Sequence, residues 1–120
     1  MALVVHLIDF HHRNPWVEKQ LDYFQNAGIE FGLISISERG KIHDHLESQG
    51  LKKIDNFKPR FFSFLKACFT LKRWNSRDDL VIYAHGHIPS IFASLFRTFT
   101  GVKFVICHHQ PNPKLFTNLK

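Results

Sequence analysis

Short apolar runs rich in β-branched residues alternate along this chain with segments whose apolar residues recur at helical spacing. Ala2 to Asp9 (ALVVHLID) is the first such run and predicts a buried strand. Asn14-Pro15 then marks a helix start, with Asn as cap and Pro at the first helical position, where a missing N–H costs nothing. Val17, Leu21 and Phe24 share one side of that helix, and Gly28 ends it as a left-handed residue. Ile29 to Ser37 is a second strand. Lys41 to Gln49 is a short helix on Ile42, His45 and Leu46, closed by Gly50, and Leu51 to Phe57 holds a weak third strand. Pro59 opens a longer helix through Arg73, with Phe62, Leu65, Phe69 and Lys72 along one side. Asp79 to Ala84 is a fourth strand. Pro89 starts a helix that stops at Gly101, and Val102 to Cys107 is a fifth strand.

Five strand runs separated by four helical ones imply parallel pairing, because each return to the same edge needs a crossover. Right-handed crossovers then give an α/β fold, a Rossmann-like doubly wound parallel sheet of about five strands in the order 3-2-1-4-5. Residues 1–120 are read as one domain. Ligands of such sheets collect at the carboxyl ends of the strands, near the point where the winding reverses. Six of the nine histidines fall at these ends: His11, His12, His85, His87, His108 and His109.

A metal site is one use for them, since imidazole suits zinc. No Asp or Glu lies within a few residues of His85 or His109, however, and no metal is expected. A neutral hydrogen-bonding site for sugar hydroxyls or a phosphorylated group is the stronger use, because imidazole both donates and accepts. Arg13 would join His11 and His12 there, and Gly86 would let backbone approach a ligand. Any one of these histidines could instead cap a helix. His6 and His45 read as structural, and His43 as a solvated helix residue. The loop after the first strand, Phe10-His11-His12-Arg13-Asn14, has no glycine, so neither a dinucleotide fingerprint nor a phosphate loop is present.

Charge changes the picture less than its total suggests. The chain carries 16 Lys+Arg against 10 Asp+Glu, a net +6. Six of those cations lie between Lys58 and Arg77 with no acid among them, so the rest of the chain is balanced. This stretch interleaves cations with Phe, Leu and Trp, which fits either a plain solvated helix or one resting on an anionic membrane surface through Arg60, Lys66, Lys72, Arg73 and Trp74. A basic aromatic stripe also suits single-stranded nucleic acid, but no nucleic-acid module is present and none is expected as partner. Two cysteines make no disulfide framework, which points to a reducing, cytoplasmic setting. Leu80 to Phe96 lacks Asp, Glu, Lys and Arg but is too short and too broken at its centre to span a bilayer.

The segment DLVIYAHGHIPSIFASLFRTFTGVKFVICHHQP resembles the amino-terminal domain of GT-B-fold glycosyltransferases, specifically the retaining group called family 4. The turn Ala84-His85-Gly86-His87-Ile88-Pro89, the apolar helix after it, the turn at Gly101-Val102 and the strand running to His109 carry the likeness. It implies half of a GT-B fold: an acceptor-binding domain of an enzyme moving a sugar from a nucleotide-sugar donor, with no further cofactor, to a glycan or lipid-linked acceptor. By this resemblance His109 would lie near the transferred sugar and His85 would line the cleft. Gly86, His87 and His108, with His11, His12 and Arg13, are read from their strand-end positions as further substrate-binding residues, although the family often has a Gly-rich loop where this chain has His11-His12-Arg13-Asn14. The departing phosphate would itself take the acceptor proton, so no carboxylate base is required. The donor is held in this group mainly by a carboxyl-terminal domain with a Glu-x7-Glu motif, and residues 1–120 do not include that domain. The expectation is therefore a fragment or split subunit, inactive alone, cytoplasmic and able to sit at the inner face of the membrane; the alternative is a Rossmann-like binding module without transfer chemistry.

Overall fold

The computed structural model of the chain describes residues 2–75 and 79–107. Strands β1 (Ala2–Ile8), β2 (Glu30–Ile36), β3 (Ile54–Phe57), β4 (Asp79–His85) and β5 (Lys103–Cys107) alternate with helices α1 (Pro15–Asn26), α2 (Lys41–Ser48), α3 (Phe61–Asn75) and α4 (His87–Thr100). The strands form one parallel sheet in the order β3-β2-β1-β4-β5, a Rossmann-like arrangement with β1 at its centre. The expected strand order is the observed one.

Alternation along the strands sends neighbouring residues to opposite faces. Leu3, Val5 and Leu7 of β1 join Phe64 and Leu71 of α3 and Phe96 of α4 in one core. Ile8 of β1 and Leu33 of β2 join Val17 and Leu21 of α1 with Ile42 and Leu46 of α2 in a second. The helices thus cover the sheet in pairs, α1 with α2 on one face and α3 with α4 on the other.

Helix ends follow local chemistry. Asn14 caps α1 by accepting from the Trp16 and Val17 N–H groups, with Pro15 at the first position. Gly28 follows that helix at φ 74°, and Gly101 closes α4 at φ 77°, both conformations that disfavour a side chain. Two helix starts move from expectation. Helix α3 begins at Phe61 rather than Pro59. Helix α4 begins at His87 with Gly86 as its cap, which puts Pro89 at the third helical position. Proline is tolerated there because first-turn N–H groups have no partner within the helix.

The apolar side read for α3 exists but faces outward. Phe62 is 81% exposed and Phe69 70%, while Phe64, Ala67 and Leu71 make the buried side. Helical spacing finds a stripe without saying whether it meets a core.

Candidate functional site

The carboxyl edge of the sheet brings together the loops after β1, β2 and β4. The first two are locked to each other. Gly40 lies so close to His11 that a Cβ on it would sit 2.4 Å from the His11 carbonyl oxygen. That carbonyl accepts from the Ile42 N–H at 3.2 Å, satisfying one of the open donors of α2. Backbone contact therefore fixes the loop, and the His11 and His12 side chains are exposed. Arg13 is engaged locally. Its guanidinium donates to Glu18 at 2.9 and 2.7 Å, and Glu18 also accepts from the Asn14 N–H at 3.1 Å. The hydrogen bonds from Arg13 hold the Glu18 carboxyl below its ordinary range.

His85 is in the sheet rather than in an open cleft. It ends β4 at 3% exposure, and its Nε2 lies 2.8 Å from Nδ1 of the fully buried His6 on β1. Register explains the meeting, since His6 pairs with Tyr83 and His85 is the next residue of β4 on that face. Phe24 and Phe31 pack edge-on against the His6 ring, and its Nε2 has no hydrogen-bond partner among the described residues. Burial, with His85 beside it, pushes His6 down to about 3, so the ring stays neutral. One imidazole must donate and the other accept. If His6 Nδ1–H donates, its Nε2 is a bare lone pair, a cheaper orphan than a buried N–H.

His43, expected on a solvated surface, is fully buried. It sits at the third position of α2 and reaches back to accept from the Gly40 N–H at 2.9 Å through Nδ1. A backbone N–H can only donate, so in the neutral ring Nε2 carries the proton and donates to Ser35 Oγ at 2.7 Å. Burial favours that neutral form. Ser35 Oγ lies 3.0 Å from Ser37 Oγ, which is 2.9 Å from the Glu38 carbonyl. Each proton is used once if Ser35 donates to Ser37 and Ser37 to that carbonyl. A serine nucleophile needs a histidine that accepts its proton; here the histidine donates, so this array is a lock on the β2–α2 loop. Its signal in the sequence was Gly40-x-x-His43, a capping box with His in the place of Glu or Gln. His45, read on the inner face, is half-buried beside Glu18, with its Nε2 at 3.4 Å from the carboxylate.

The β4–α4 turn is the open part of the edge. Gly86 adopts φ 101° and no side chain caps α4. The Ser90 N–H and Oγ both turn back to the Gly86 carbonyl, at 3.2 and 2.5 Å. His87 is exposed beside the helix start. This uncapped amino end favours an anionic or hydroxyl-bearing group. His108 and His109 lie outside the described residues. Among the described residues no group of three or more His, Cys, Asp or Glu is placed to hold a metal ion. A cleft of about 360 Å³ between the ends of α1 and α2, lined by Gln25, Phe31 and Leu51, lies at the opposite edge of the sheet.

Across this frame the chain matches the crystal structure of a glycosyltransferase from Rickettsia africae ESF-5, with a TM-score of 0.55 at 15% identity, over 97% of this chain and 33% of that one. The chain has a glycosyltransferase-like fold. It spans about a third of the length of that relative, and at this identity the likeness carries architecture alone. No family model and no curated protein matches the chain.

The remaining expected contacts lie on α3. Arg60, at its entry, and Lys66, Lys72 and Arg73 are exposed, whereas Trp74 is partly buried and packs against the core beneath the helix. Among the described residues no helix is long and apolar enough to cross a membrane.

Proposed function

We propose that this chain is the acceptor-binding half of a retaining glycosyltransferase. In this reading it moves a sugar from a nucleotide-sugar donor to a glycan or lipid-linked acceptor in the cytoplasm. It works with a donor-binding domain and is inactive without it. The observation that carries this is the likeness of nearly the whole chain to one third of a glycosyltransferase. The carboxyl edge supports it. His11, His12 and His87 are exposed at that edge, and their ring nitrogens can donate and accept, a chemistry suited to hydroxyl groups. His108 and His109 follow β5 in sequence, and this reading gives His109 the role beside the transferred sugar. The donor is a substrate, and no metal or other cofactor enters.

An amide-resolved NMR titration of the chain with a panel of oligosaccharides tests this. Saturable shifts at His12, Gly86, His87 and Ile88, weakened about fivefold to tenfold by His87→Ala, are expected for one lost hydrogen bond. Shifts confined to the opposite edge would overturn the site, and sugar transfer by the isolated chain would overturn its dependence on a second domain. One observation favours a binding module without transfer chemistry: His85, implied to line the cleft, is spent on His6. Supplying donor-binding domains in trans separates the two, since only the transferase half gains turnover.

A further inference from the structure

The outer face of α3 and α4 is apolar, basic and free of acids. On α3, Phe61, Phe62 and Phe69 are 65%, 81% and 70% exposed; on α4, Ile91, Leu95 and Phe99 are 49%, 40% and 55% exposed. The two helices lie side by side, because Phe64 of α3 meets Phe99 of α4 with ring centroids 5.6 Å apart. The exposed rings and aliphatic chains therefore belong to one layer. Arg60, Lys66, Lys72, Arg73 and Arg97 are exposed around them, and neither 58–75 nor 86–103 contains an Asp or Glu. Among the described ion pairs, Lys58 meets Glu38 at 3.4 Å, while no carboxylate pairs with Arg60, Lys66, Lys72 or Arg97.

We propose that this two-helix face docks on the surface of an anionic phospholipid bilayer. The Phe62 and Phe69 rings enter the headgroup boundary, and the cations around them meet lipid phosphates. Two features select a bilayer over an acidic protein. The outermost rings, seven residues apart on α3, stand out from the surface, as insertion requires. The cations run along α3 from Arg60 at its entry to Arg73, with Arg97 on α4; Lys66 and Arg73 also border a cavity lined by Asp55 and Trp74, and a row of that length matches an extended negative surface. The opposite layer carries Glu18, Asp22, Asp44 and Glu47 on α1 and α2, so the domain has a side that such a surface attracts and a side that it does not. Docking in this orientation leaves the carboxyl edge of the sheet uncovered, and the proposal does not depend on which ligand binds there.

Co-sedimentation of the full chain with phosphatidylglycerol–phosphatidylcholine vesicles tests this, with pure phosphatidylcholine as control and circular dichroism reporting the fold of each variant. The wild type is expected to bind the anionic vesicles and to be released by salt. Each cation contributes roughly fivefold in partitioning. Changing Arg60, Lys66, Lys72 and Arg73 all to Gln should therefore lower it by about two orders of magnitude or more. The double variant Phe62→Ser, Phe69→Ser keeps every charge and should lower it at least tenfold, whereas Lys19→Gln with Lys41→Gln on the other layer should change little. Failure of the folded wild type to bind would overturn the proposal, as would equal binding to neutral vesicles or binding that survives the fourfold change. Self-association in solution that the Phe62, Phe69 double variant abolishes would assign the face to a second copy instead and would equally overturn it.

Discussion

The two helical layers of this sheet are held by different means. The α1/α2 layer is tied by polar contacts: Asn14 caps α1, Glu18 gathers Arg13, the Asn14 N–H and His45, and His43 links Gly40 to Ser35. Most of these ties sit at the carboxyl edge, where they fix the loop that carries His11 and His12 and the β2–α2 loop locked to it. The α3/α4 layer is tied by aromatic rings, with Phe64 set among Phe57, Phe92, Phe96 and Phe99. It leaves α4 uncapped and keeps further rings on its outer surface. Directional bonds hold a loop in one geometry, while dispersion and burial hold mass without direction. One layer positions a site; the other supplies a core and, by the docking proposal, a surface.

The sharpest break of the aromatic layer is Phe96→Ala. Phe96 has no exposed surface, stacks on Phe64 at 4.8 Å and touches Phe57 at 5.7 Å. Its truncation removes a ring and leaves a cavity, so urea unfolding should show a loss of about 3–5 kcal/mol. A loss below about 1 kcal/mol would mean that the layer is not close-packed.

Next in size is a pH effect in the polar layer. His6 titrates at about 3 in the folded chain, against its ordinary 6.5 when unfolded. Below 6.5 the unfolded state binds a proton that the native state refuses, so stability falls as the pH falls, down to about 3. The slope approaches about 1.4 kcal/mol per pH unit, and the His6 share between pH 7 and 5 is roughly 2 kcal/mol. His43, whose burial also holds it below its ordinary value, adds in the same direction. Comparing urea unfolding of wild type and His6→Leu at both pH values checks this. The variant should lose that share of the pH dependence, and an unchanged difference would show that His6 is not held neutral.

The fold was legible because its determinants are local. Strand order followed from apolar runs separated by helical ones, and Asn14-Pro15, Gly28 and Gly101 act through their own backbone preferences. The partners of the histidines depend on register and loop contact. His6 meets His85 only once β1 and β4 pair, and His43 turns inward only because it reaches back to Gly40. The strand-end rule points to the loops where His11, His12 and His87 are exposed, but it does not separate them from His85, which is the last residue of β4 and buried. Periodicity also located the Phe62–Phe69 stripe while leaving open which side of α3 meets the sheet.

Asn14→Ala probes the polar layer at a single tie. It removes the acceptor for the Trp16 and Val17 N–H groups, at 2.9 and 3.3 Å, and should cost about 1 kcal/mol. Amide exchange should quicken in the first turn of α1, next to His11 and His12, and not in α4, which has no side-chain cap to lose. Equal quickening in both helices would dissolve the distinction between the layers.

The smallest effect is the most discriminating. Phe62→Ala removes the same atoms as Phe96→Ala, from the same layer, at a site 81% exposed. Exposed sites away from such packing change stability by within about 0.5 kcal/mol, so the unfolding midpoint should barely move. A ring that adds nothing to folding and still weakens vesicle binding when removed has its use outside the core. A loss as large as that of Phe96→Ala would instead make Phe62 part of the packing and take from α3 the outer face on which the docking proposal stands.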